Sequence, residues 1–142
     1  MKTRNLILLS VACGFLILLA GAFKLRQVAV EPNQVPVNGL GTAATIGDMT
    51  VNVRVIRSTA NGVDVTIEMN GVEGEPVLDG WRLLGDGEVL EPSNAVASGS
   101  CSGETRVPEL GTSVTCKLRF AAVEAVQNVA YSRAGEQRLW AP

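Results

Sequence analysis

MTVNVRVIRSTANGVDVTIEMN, residues 49–70, carries its hydrophobic residues with a period of two. Met49, Val51, Val53 and Val55 alternate with Thr50, Asn52 and Arg54. After a turn at Asn61-Gly62, Val63, Val65, Ile67 and Met69 alternate with Asp64, Thr66 and Glu68. A period of two puts successive side chains on opposite faces of an extended chain, so each run is a strand with one dry and one wet face. One-sided burial is the habit of antiparallel sheets, and the short connection makes the pair a hairpin.

The same reading extends down the chain. Trp81 and Leu83 precede Asp86-Gly87, a pair that supplies the positive φ angles of a tight turn, and Val89 follows it. Val114, Cys116, Leu118 and Phe120 alternate with Ser113, Thr115, Lys117 and Arg119, which points Cys116 inward. Val129 and Tyr131, a turn at Ala134-Gly135, then Leu139 and Trp140 complete the set. Seven or so strands in about 100 residues predict an all-β fold, an immunoglobulin-like antiparallel sandwich. The only other local expectation is a short helical turn at Ala121 to Val126.

Ahead of this domain lies an uncharged run from Leu6 to Phe23, flanked by Lys2 and Arg4 and by Lys24 and Arg26. At 1.5 Å per residue it spans roughly 27 Å, close to the ~30 Å hydrocarbon core of a bilayer. Residues 1–5 then form a cytoplasmic N-terminus, 6–23 a single transmembrane anchor, 24–41 a linker and 42–142 the sandwich. Two other readings stand beside the anchor. Ala20-Gly21-Ala22 has the small-x-small pattern of a signal-peptidase site, although the apolar run is longer than the usual signal peptide and has no polar segment before the site. Ser10-Val11-Ala12-Cys13 has a faint look of a lipidation site, although most of the apolar run follows the cysteine.

Balanced basic flanks do not orient the helix, but the cysteines do. Cys101 and Cys116 are 15 positions apart in the domain, and the remaining cysteine, Cys13, sits in the apolar run. A disulfide between Cys101 and Cys116 persists in an oxidising compartment, which predicts a cell-membrane protein with its N-terminus inside and its domain extracytoplasmic. Neither cysteine lies in a Cys-x-x-Cys motif, so the expected bridge is structural.

From Gln27 onward the chain holds eight basic and fourteen acidic residues, enough length for one core and no basic excess to suggest nucleic acid as a partner. Pro32, Pro36, Gly39 and Gly41 mark the linker, which lifts the module off the membrane.

The order of these elements resembles the actinobacterial extracytoplasmic immunoglobulin-like domains of unknown function, the domain-of-unknown-function 4352 group among them. The matching residues are Gly47-Asp48, Trp81, Asp86-Gly87, Cys101, Pro108-Glu109-Leu110-Gly111, Phe120, Tyr131 and Trp140. The chain is also similar to the fold of a secreted mycobacterial immunogenic antigen, from which it departs by keeping its anchor. The resemblance covers Gly41 to Trp140 and implies the fold; it transfers no active site.

Chemistry-bearing motifs are few. The chain has no histidine, which excludes histidine triads and histidine zinc sites. Glu73 with Glu75, and Asp86 with Glu88, stand beside turn glycines where solvated acids are common. Gly85-Asp86-Gly87 lacks the lysine of a phosphate loop. No enzyme activity, cofactor or metal is therefore expected. Trp81, Tyr131 and Trp140 fall on alternating strand positions and read as core. The polar stretch Ser93 to Gly103, pinned by Cys101, is the expected recognition loop, with Ser93, Asn94, Ser98, Ser100 and Ser102 as its candidate contacts. Two functions follow as expectations: a membrane-anchored recognition or accessory module that contacts another envelope protein, or a secreted or anchored binder of a small ligand or cell-wall component.

Overall fold

The computed structural model describes residues 3–30, 35–95 and 97–142. It divides into two units, residues 1–34 and 35–142. The first holds one helix, α1 (Thr3–Val30), within which Thr3–Arg26 is long and apolar enough to cross a membrane. The helix runs past both ends of the expected 6–23 span.

The second unit is a β-sandwich of nine strands among the described residues. They are β1 (Val37–Gly39), β2 (Ala43–Ile46), β3 (Met49–Thr59), β4 (Gly62–Asn70), β5 (Trp81–Gly85), β6 (Glu88–Leu90), β7 (Val114–Phe120), β8 (Val126–Arg133) and β9 (Glu136–Ala141). One sheet has the order β1-β9-β8-β5-β6 and the other β2-β3-β4-β7. Apart from the parallel pair of β1 with β9, every neighbour is antiparallel. The alternation read from the sequence puts Val63, Val65, Ile67 and Met69 of β4, and Cys116, Leu118 and Phe120 of β7, into the core between the sheets. Trp81, Leu83, Val129, Tyr131 and Trp140 enter from the facing sheet.

Three local expectations change. The segment 24–41, expected as a linker, contains the end of α1 and the whole of β1. There Val37 pairs with Leu139 and Gly39 with Ala141, because the free edge of β9 offers backbone donors and acceptors that three residues satisfy without any hydrophobic pattern. Val55, expected in the core, lies on the outer face and is 39% exposed. The register of β3 against β4 shifts between Val53 and Val55, and the extra residue, Arg54, reverses which face the following side chains take. Ala121 to Ala125 forms no helical turn. Its backbone is held instead by Asp86, whose carboxylate accepts the N–H groups of Glu124 at 2.6 Å and Ala125 at 3.0 Å. Asp86 itself sits at φ 53 beside Gly87 at φ 79, the two left-handed positions of a tight hairpin.

Candidate functional site

The loop after β6 is not a free arm. Ser93 donates from both its backbone N–H (2.7 Å) and its Oγ (3.0 Å) to the carbonyl of Arg119. Farther on, the Cys101 N–H donates to the Lys117 carbonyl at 2.8 Å, and the Lys117 N–H to the Gly99 carbonyl at 2.9 Å. The disulfide between Cys101 and Cys116 lies on the inner side of this contact, both residues being buried. The loop therefore runs along the outer edge of β7 and satisfies backbone groups that an open edge would leave exposed.

This tether divides the five candidate contacts. Ser93 is committed to Arg119. Asn94 accepts the Gly103 N–H through Oδ1 at 2.9 Å, and Ser102 accepts the Glu104 N–H at 3.3 Å and lies 3.2 Å from the Thr105 hydroxyl. These three side chains hold the loop's own shape. Ser98 is exposed and Ser100 half-buried, and neither side chain makes a hydrogen bond among the described residues. Val96 lies outside the described residues.

Strand register aligns the loop with the outer face of its sheet. One row reads Arg57 (β3), Asp64 (β4), Arg119 (β7), Ser93; the next reads Val55, Thr66, Lys117, Ser100. A third brings Asn52, Glu68 and Thr115 together, with Arg54 bulged beside them and ion-paired to Glu68. Four of the eight basic residues after position 26 thus stand on one face with two acids, a local excess of positive charge in a domain that is acidic as a whole. Arg119 lies 3.6 Å from Asp64. Arg57 and Lys117 have no carboxylate partner among the described residues. Between them runs a groove of about 330 Å³ lined by Val55, Arg57, Thr59, Asp64, Thr66 and Lys117. Sequence alternation alone missed this face, because it placed Val55 inside.

The remaining candidates have structural employment. Trp81, Tyr131 and Trp140 form one aromatic cluster in the core, with ring centres of Trp81 and Tyr131 4.8 Å apart and those of Trp81 and Trp140 6.1 Å apart. Glu75 lies 3.4 Å from Arg133, which also donates to both carboxylate oxygens of Asp48. Arg133 belongs to one sheet and Asp48 to the β2–β3 turn of the other, so this trio clasps the two sheets at one end. Among the described residues, no group of three or more cysteine or acidic side chains is placed to hold a metal ion.

The clasp gives a pH dependence. Hydrogen bonding to Arg133 holds the Asp48 carboxyl below its ordinary value, and the carboxylates of Asp48 and Glu75 hold the Arg133 guanidinium charged. A carboxyl depressed in the folded state contributes stability that is complete above its unfolded pKa, roughly 4, and is lost as pH falls through the folded value. The urea midpoint of the wild type is expected to drop below about pH 4. Arg133→Gln is expected to have a lower midpoint at neutral pH and a shallower fall in acid. An unchanged acid limb in that variant would remove the clasp from the account. At the other extreme, burial pushes the Tyr131 hydroxyl up, so the folded state disfavours the phenolate and stability declines as pH rises past about 10.

No protein-family profile matches the chain, and no curated protein matches it. Among solved structures it is similar to a secreted protein from Mycobacterium tuberculosis, MPT63, with a TM-score of 0.60 and 19% sequence identity. The match covers 78% of this chain and 100% of MPT63, and at this identity the likeness is one of fold: a β-sandwich, here following an apolar helix.

Proposed function

We infer that the chain is a membrane-anchored, extracytoplasmic, non-catalytic recognition module of the immunoglobulin-like kind. Its outer β3-β4-β7 face and tethered loop make the contacts, and another envelope protein is the partner. The observation that carries this reading is the loop itself. A polar segment held by a disulfide and four backbone or side-chain bonds to β7 presents a fixed surface, and binding to a fixed surface avoids the entropy of ordering a mobile one. Support for the location comes from the helix Thr3–Arg26, from a disulfide that needs an oxidising compartment, and from the secreted MPT63. The order of turns and core residues supports kinship with the actinobacterial domains of unknown function.

Fractionation of the C-terminally tagged full chain from an actinobacterial host tests the anchor. The expected product is full-length, membrane-retained and extracted only by detergent. A fragment beginning at Phe23 in the medium would overturn the anchor and leave a secreted binder. Partner contact is tested on the detergent extract. Substituting Ser98 and Ser100 while keeping Cys101 is expected to abolish copurification of the specific partner without lowering the unfolding temperature, and unchanged copurification would discard the loop.

A further inference from the structure

The groove on the β3-β4-β7 face has a chemistry that the recognition reading does not require. Arg57 and Lys117 approach it from opposite sides, two strands apart and one side-chain step apart along the strands. Strand spacings of about 4.8 Å across and about 6.8 Å per two residues place their backbones roughly 12 Å from one another. Both side chains border the same groove as Thr66, which the register sets between Val55 and Lys117. Like charges gathered on a sheet face repel one another unless each is answered by an acid. Arg54 is answered by Glu68 and Arg119 by Asp64, but Arg57 and Lys117 are not. A second groove of similar size, lined by Leu78, Asp79, Gly80, Arg82, Glu91 and Pro92, shows the contrast: its arginine is met by Glu91 at 2.9 Å.

We propose that the Arg57–Lys117 groove binds a phosphoryl group, with the guanidinium of Arg57 and the ammonium of Lys117 supplying charge and the hydroxyl of Thr66 supplying a further donor. This assignment rests on the face being a recognition surface and names what it recognises. A phosphoryl group carries up to two negative charges and three strong acceptor oxygens, which suits a planar guanidinium fork beside a compact ammonium. A hydroxyl donor on the same seat raises the number of hydrogen bonds beyond the two that a carboxylate usually takes from one arginine. Asp64 borders the groove and repels an anion, but its carboxylate is turned to Arg119, so the charge lining the seat remains positive in sum.

The test is a titration of the isotope-labelled full chain in uncharged detergent, read by amide chemical shifts. Inorganic phosphate, glycerol 3-phosphate and, at matched ionic strength, chloride are added separately. The expected result is a saturable shift confined to the groove residues, Arg57, Thr66 and Lys117 foremost, with both phosphates and absent with chloride. Lys117→Gln and Arg57→Gln are each expected to weaken it about tenfold, the worth of one charge-assisted hydrogen bond. Because both residues are exposed on the sheet's outer side, these variants are expected to unfold at the wild-type temperature. Nanodiscs of phosphatidylglycerol, compared with phosphatidylcholine, separate a lipid headgroup from a soluble phosphoester as the source. Equal response to chloride, or shifts elsewhere on the domain, would overturn the proposal. If phosphate fails and the two variants still lose the copurifying envelope partner, the phosphoryl assignment falls and the recognition face stands. If neither binding nor copurification changes, both fall.

Discussion

Trp81→Ala is expected to lower the unfolding midpoint of the full chain by about 15 °C, the largest effect of any single core substitution in the domain. Trp81 has no exposed surface and stands between Tyr131 and Trp140 at the centre of the sandwich. Deleting a buried aromatic ring costs about 3–5 kcal/mol in lost burial and residual cavity, and a domain of this size loses roughly 4 °C per kcal/mol. A second pair of variants separates packing from hydrogen bonding. The indole N–H of Trp140 donates to the Thr42 carbonyl at 2.9 Å, which ties the sheet holding β9 to the segment that leads into β2. The buried indole N–H of Trp81 has no acceptor among the described residues. Trp81→Phe therefore removes a polar group that burial already penalises, whereas Trp140→Phe removes a made bond and leaves a carbonyl without its donor. Trp140→Phe is expected to cost about 1 kcal/mol more than Trp81→Phe, measured by chemical denaturation. The reverse order would mean that the Trp81 N–H is satisfied and that the centre of the core is organised differently.

How much of this was readable from residue order depends on the length of each pattern. β4 and β7 run seven residues or more with unbroken alternation, which suffices to fix their inward faces, and the Asp86-Gly87 hairpin, the aromatic core and the cysteine pair are equally legible. β1 was not legible. Three residues carry no period, and their parallel partner β9 lies about a hundred positions away, so only the assembled sheet reveals the pairing. Val55 failed for a different reason: a bulge is set by how β3 curves against β4, and one extra residue at Arg54 inverts the face of everything after it. That inversion also hid the candidate site. An acidic composition gave no hint of a positive surface, because whether Arg57, Lys117 and Arg119 gather on one side follows from register and not from count. The loop was legible as a place, but not in its division between side chains that hold its shape and side chains left for contact.

The second large effect concerns that loop. Removing the bridge with Cys101→Ala and Cys116→Ala together is expected to cost about 3 kcal/mol, the chain-entropy value for a closed loop of about 15 residues, and so about 12 °C in the unfolding midpoint. The loss should be uneven. Ser93 remains bonded to Arg119, and the backbone pairs of Cys101 and Lys117 can still form, but nothing covalent then holds Gly99 to Cys101 against β7. Hydrogen exchange of the Lys117 and Cys101 amides is expected to accelerate before that of the β3–β4 pairs, since local opening of the loop no longer has to wait for the sheet to come apart. Reducing agent on the wild type should reproduce both changes. If the midpoint falls while those two amides keep their protection, the bridge acts through the unfolded chain alone and the loop is held by its ladder. If both change together, the disulfide fixes the surface as well as the fold. Oxidation would then be a condition of recognition: in a reducing compartment the same chain would keep its sandwich and lose the edge on which Ser98 and Ser100 are presented.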